Sequence, residues 1–179
     1  QLGIFWIATS WLAAGLFIGP LISGHEPKHQ ALGVNVLFLA LLVIVVGSLA
    51  GEWLSIHNRL TDRQAFLWGH QGYEYVDLGR MWQILLLAGL FIWLFLVLRA
   101  VRPAFRTAGE TRPLLTIFLM SAGAIGLFYG AGIMWGQHSH LSMVEYWRWW
   151  VVHLWVEGFF EVFATAVIAF FFARLGLVR

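Results

Sequence analysis

The chain has 179 residues, of which 60% are hydrophobic, 17% aromatic and only 11% charged, where a soluble domain carries about 25% charged residues. That composition excludes an ordinary soluble domain and defines an integral membrane protein. The net charge of +2 and a pI near 9.4 come from a few arginines outside the apolar runs, so they report membrane topology and give no reason to expect a nucleic-acid partner. With no cysteine, disulfides, iron–sulfur clusters and thiolate ligands are excluded within the chain, and any metal must use His, Asp, Glu or backbone oxygen.

In chain order, five apolar segments are legible, at about residues 2–22, 33–50, 81–98, 114–135 and 145–173. Each is long enough to cross a bilayer as a helix, the second and third only just. The expected fold is therefore all-α, with five transmembrane helices. Pro20 is placed to kink the first near its end, and Pro113 suits the first turn of the fourth. Gly123, Gly126, Gly130 and Gly132 predict close helix contact along the fourth. Between the third and fourth spans lie Arg99, Arg102, Arg106 and Arg112 against one acid, Glu110, and Arg174 and Arg179 flank the end of the fifth on the same side. By the positive-inside rule that side is cytoplasmic, which puts loops 51–80 and 136–144 outside and 24–32 inside. The arginines need no role beyond setting this topology.

The outer loop 51–80 carries Glu52, Asp62, Glu74 and Asp77 with Arg59, Arg63 and Arg80. It is too polar to insert and too long for a plain connection. Glu74 and Asp77, three apart beside glycine and aromatic residues, suit a hard cation such as calcium; a solvated loop is the plainer reading of one carboxylate pair. His25, His29, His57, His70, His138 and His140 fall in loops or at helix ends, where haem ligation deep in a bundle is not expected. His138, His140 and Gln137 form a solvated loop or an adventitious surface metal site.

The fifth span holds the most pointed chemistry. From Trp149 to Ala173 its only ionisable side chains are His153, Glu157 and Glu161. At i, i+4 and i+8 they drift only ~40° per step on an α-helix, so they share one face. A carboxylate at mid-bilayer costs ~2.5 kcal/mol or more, and two on adjacent turns repel unless a proton or metal compensates, so the face is expected to point into the protein. The functional reading is that His153 and Glu157 ligate a transition metal, iron or zinc, with Glu161 as a proton-handling or supporting carboxylate. Hydrogen bonding between packed helices, or a proton relay without metal, accounts for the same spacing. The zinc-protease motif, which needs two histidines four apart, is absent. Entering from outside near Glu145, the helix puts His153 roughly 12 Å and Glu157 roughly 18 Å down, in the outer half of the membrane. Trp147, Trp149 and Trp150 suit the interfacial belt, whereas Trp155 is deeper and points away from the His153 face.

The run Glu145-Tyr146-Trp147-Arg148-Trp149-Trp150-Val151-Val152-His153-Leu154-Trp155-Val156-Glu157-Gly158 resembles the helix of respiratory nitric oxide reductase catalytic subunits that carries two ligands of the non-haem iron. The continuation through Glu161 to Ala164 is most similar to the quinol-oxidising branch of that family, a divergent branch of the haem-copper oxidases. The resemblance implies that His153 and Glu157 bind the non-haem iron beside a high-spin haem and that Glu161 supplies protons. It also implies that Glu74 helps hold a calcium ion bridging haem propionates, and that Asp77 lies on a proton entry route. The expected reaction joins two nitric oxide molecules to nitrous oxide, with a quinol as electron donor, in the bacterial inner membrane. Further expectations follow for the setting. The chain, which begins with Gln1 and lacks a signal-peptide pattern, would be an excerpt of a larger haem-copper-oxidase-like bundle. The rest of that subunit would supply the remaining iron ligands, the ligands of two haem b groups and the quinol site. Two alternatives stand beside this one: a nitric oxide dismutase-like enzyme, and a transporter or proton channel using the same three residues as an ion path.

Overall fold

The computed structural model describes residues 2–107, 109 and 111–177, with side chains from Ala8 onward. Glu110 and Arg179, which entered the topology reading, lie outside the described residues. Its elements are α1 (Leu2–Ser23), α2 (Gln30–Ile56), α3 (Asp62–Trp68), α4 (Arg80–Thr107), α5 (Arg112–Phe128) running into a 3-10 turn (Tyr129–Ile133), and α6 (Leu141–Trp149). A π-helix (Trp150–Phe160) then leads into α7 (Glu161–Arg174). Four helical stretches are long and apolar enough to cross a membrane: Gln30–Ile56, Arg80–Thr107, Arg112–Ile133 and Leu141–Arg174. The first apolar run forms α1, whose portion Ala8–Ser23 is a shorter apolar helix beside these four. The all-α membrane architecture thus holds, with α2 and α4 several residues longer than their apolar runs.

Successive spans alternate in direction. At one end, the Arg174 guanidinium donates to the Leu21 carbonyl at 2.6 Å and Arg99 donates to Gln30 Oε1 at 2.8 Å, which gathers the end of α1, the start of α2, the end of α4 and the end of α7. At the other, Trp82 Nε1 donates to the Trp68 carbonyl at 2.9 Å. Lipid tails are as apolar as leucine, so van der Waals fit and interhelical hydrogen bonds hold such helices together. Accordingly Trp93 Nε1 donates to the Leu12 carbonyl at 2.7 Å, and Trp155 Nε1 to the Ile125 carbonyl at 2.8 Å. Phe163, fully buried, stacks on Phe118 and meets the Trp93 ring edge-on, with ring centres 5.2 and 5.6 Å away. Trp155 is buried and faces away from His153, as its position in the span suggested.

Close helix approach is not where the fourth span's glycines placed it. A Cβ on Gly123 would meet open space, and on Gly126 or Gly130 only ordinary contacts. The tight positions are on α1 and α2: a Cβ on Gly15 would come within 2.9 Å of Phe163, on Gly19 within 2.9 Å of Ala100, and on Gly47 within 2.3 Å of the Trp82 ring. Tightest of all is Gly51, where a Cβ would lie 1.8 Å from the Trp68 carbonyl oxygen. The partner there is backbone and cannot swing aside. Gly51→Ala is therefore expected to undock α3 from α2, at or above the ~1–3 kcal/mol typical of overpacking. The thermal midpoint of the purified full-length protein should fall and the loop should become open to proteolysis, while Gly123→Ala, in open space, changes neither. Equal behaviour of the two variants would show that the close approach is not maintained.

The outer loop is a folded unit resting on these contacts. Thr61 and Gln64 form a reciprocal capping box at the start of α3, which satisfies two otherwise orphaned N–H groups. His70 pairs with Leu78 in an antiparallel bridge, and the ring of bonds is closed by Gln71 N–H to the Asp77 carbonyl at 2.7 Å and Gly79 N–H to the Gly69 carbonyl at 2.9 Å.

Candidate metal-ligand face and outer loop

The segment carrying His153 and Glu157 is not the regular α-helix its spacing suggested. Trp150–Phe160 is wound as a π-helix, in which bonds run i to i+5 and each turn takes up more residues. Gly158 sits where this ladder is crowded: a Cβ there would stand 3.1 Å from the His153 carbonyl oxygen. Four apart still means one face, because His153 Nδ1 and Glu157 Oε2 are in direct hydrogen-bond contact. Glu161, the first residue of α7, follows on the exposed side.

That face turns away from the helices described here. The His153 and Glu157 side chains are 56% and 55% exposed, although the stretch Leu141–Arg174 is apolar enough to lie in a membrane. Charged groups within a span ordinarily face a bundle interior or a polar cavity, so the expected inward orientation is not met among the described residues. Trp149 was expected only to anchor the interface, yet its ring stacks on the His153 imidazole at 4.3 Å. The preceding residue, Arg148, lies over the Trp149 ring at 5.0 Å and grips Glu145 through two bonds of 3.0 and 2.9 Å. The imidazole is therefore held between an indole and a carboxylate.

An imidazole nitrogen and a carboxylate oxygen converging on one point fit a metal ion, which would take the place of the bridging proton. Among the described residues, no group of three or more His, Asp or Glu side chains forms a metal site. The chain thus offers a pair of donors and a neighbouring carboxylate, and a metal held here needs ligands from elsewhere.

In the outer loop, Asp77 accepts the Gly72 N–H at 2.6 Å and contacts His70 Nδ1 at 3.3 Å. The Glu52 carboxyl lies within electrostatic reach of both Asp77 and His70. Glu74 is exposed on the adjoining turn, within electrostatic reach of Arg148, so this turn stands beside the entrance of the helix that bears His153. Among the described residues Asp77 and Glu74 have different neighbours, His70 and the Gly72 N–H for the one and Arg148 for the other.

Sequence reasoning missed the buried polar latch behind the loop. Arg80, read as a loop charge, is 7% exposed, and it donates to the carbonyls of Gly132 at 2.9 Å and Trp135 at 2.6 Å while its guanidinium lies 4.9 Å from the centre of the Trp135 ring. Gln83, also buried, donates to the Val76 carbonyl at 2.8 Å, and Gln71 bridges the Leu78 carbonyl and Trp135 Nε1. Each buried carbonyl left without its donor would cost ~1–3 kcal/mol. The one available signal was position, since Arg80 is the last charge before an apolar span.

Antiparallel apolar helices, one of them bearing a histidine–glutamate pair, define a multi-pass membrane protein. The family of cytochrome c and quinol oxidase polypeptide I matches residues 1–176, and the chain belongs to it. It is thus part of a haem-copper-oxidase-like oxidoreductase of the membrane, a family that holds haem and a metal centre.

Proposed function

We propose that the chain is part of the catalytic subunit of a quinol-dependent nitric oxide reductase, with His153 and Glu157 as two ligands of a non-haem iron and Glu161 as a proton-handling carboxylate. The observation that carries this reading is the convergence of His153 and Glu157 on one point of a membrane-type helix, with Glu161 following, in a chain of the haem-copper family. The overall reaction consumes two nitric oxide molecules, two electrons and two protons and yields nitrous oxide and water. When bound, the iron would supply a Lewis-acidic, redox-active position next to the haem. The chain's own residues do the rest locally. Trp149 holds the plane of the His153 ring, Glu157 contributes negative charge, and Glu161 exchanges protons one turn away. Asp77, with His70 and Glu52 beside it, offers a relay at the outer surface, and Glu74 a carboxylate for calcium near the haem propionates. The setting is the bacterial inner membrane, with the 51–80 loop on the periplasmic side.

Gas analysis of the purified full-length protein tests this. With a quinol donor, one nitrous oxide should form for every two nitric oxides consumed. Oxygen release from nitric oxide without a donor would replace the reductase by a dismutase, and a protein without haem absorption would favour ion transport. For Glu74 the expected result is specific: Glu74→Ala loses bound calcium and perturbs the haem spectrum, while calcium content and spectrum equal to wild type would leave Glu74 as a solvated acid.

A further inference from the structure

At the end of the bundle that carries Arg99, Arg102, Arg106, Arg112 and Arg174, a cleft of about 1110 Å³ opens between α1, α2 and α7. It exceeds the ~300–1,000 Å³ of sites for compact small molecules, and its lining includes the apolar side chains of Phe17, Leu21, Val34 and Phe171. Its polar end is made by His25, Glu26, Gln30 and Arg174. Gln30 is 4% exposed and its Oε1 is taken by Arg99, but Gln30 Nε2 and Arg99 Nε are buried without a hydrogen-bond partner among the described residues. Buried N–H donors are rarely left unpaired. Of the two residues only Gln30 lines the cleft, so what is missing at its wall is an acceptor for the Gln30 amide.

We infer that this cleft binds an anionic phospholipid, its phosphodiester and ester oxygens at Gln30, His25 and Arg174 and an acyl chain along Phe17, Val34 and Phe171. Basic pockets between membrane helices take anionic headgroups in this way. Arg174 on the lining, with Arg99 behind Gln30, sets the preference for an anion over a neutral amphiphile such as a quinol. Glu26, the carboxylate on the lining, is exposed and does not bond the unpaired donors of Gln30 and Arg99. Arg174 is already anchored to the Leu21 carbonyl and lies 5.5 Å from the centre of the Phe170 ring, which fixes its charge at the mouth.

The test is native mass spectrometry of the full-length protein, stripped of lipid in neutral detergent and retitrated with phosphatidylglycerol or phosphatidylcholine. Wild type should keep one tightly held phosphatidylglycerol in preference to phosphatidylcholine. Ala31→Trp, which fills the cleft from an exposed position on α2, should lose that adduct with an unchanged thermal midpoint. Arg174→Gln should cut the preference for the anionic lipid by about fivefold, the share of one basic residue at an anionic headgroup. Equal binding of the two lipids, an adduct that survives Ala31→Trp, or a quinone retained in place of the lipid would each overturn the proposal. So would a lipid-free wild type whose stability collapses in Ala31→Trp, the result expected if another helix fills the cleft. Should Arg174→Gln fail to fold, Ala31→Trp and the wild-type lipid preference decide.

Discussion

Alanine at His153 or Glu157 is expected to reduce nitric oxide turnover of the full-length protein by more than the ~10–100-fold seen when groups supporting a metal site are lost, with the low-spin haem spectrum intact. Each variant removes one of two donors that meet at a single point. The other is left as a lone polar group in an apolar span, at a cost of ~2.5 kcal/mol or more for the carboxylate. Because both side chains point away from the described helices, neither substitution opens a cavity in the core around Phe163 and Ile125. Lost activity should therefore not come with a lost fold, and a collapsed haem spectrum in both variants would assign the pair a structural role instead.

Glu161→Gln is expected to behave differently. It keeps the size of the side chain and most of its hydrogen bonding but removes the exchangeable proton, so iron and both haems should remain while turnover drops by ~10²–10⁴-fold, the usual contribution of a positioned acid or base. As the first residue of α7, past the end of the π-helix, Glu161 stands one turn beyond the His153–Glu157 contact. That separation is what distinguishes a proton carrier from a third ligand. Steady-state consumption at the wild-type rate would remove the proton role, and iron loss in this variant would make Glu161 part of the ligand set.

The spans were legible because a bilayer demands long apolar runs, and Leu, Val, Phe and Trp spell them out in sequence. Their ends were less so: α2 continues through Gly51, Glu52 and Trp53 to Ile56, with the α3 segment docked at Gly51 and Ser55, and contacts across a loop leave no periodic trace. The shared face of His153 and Glu157 could be read from spacing alone, since four apart suits both α and π winding. The π-helix itself has no local signature, for nothing in Trp150–Phe160 forbids an ordinary helix. Long-range pairings were out of reach for the same reason. Asp77 meets His70 only through the bridge between His70 and Leu78, and Arg80 is buried only because the 3-10 turn after α5 brings the Gly132 and Trp135 carbonyls over it.

Whether the π-helical pair holds iron is decided most directly by counting metal. Iron and haem should be quantified together in the purified full-length wild type, His153→Ala and Glu157→Ala. The expected result is one iron beyond the haem iron in wild type, falling to near none in both variants at unchanged haem content. Non-haem iron equal to wild type in both variants would contradict it.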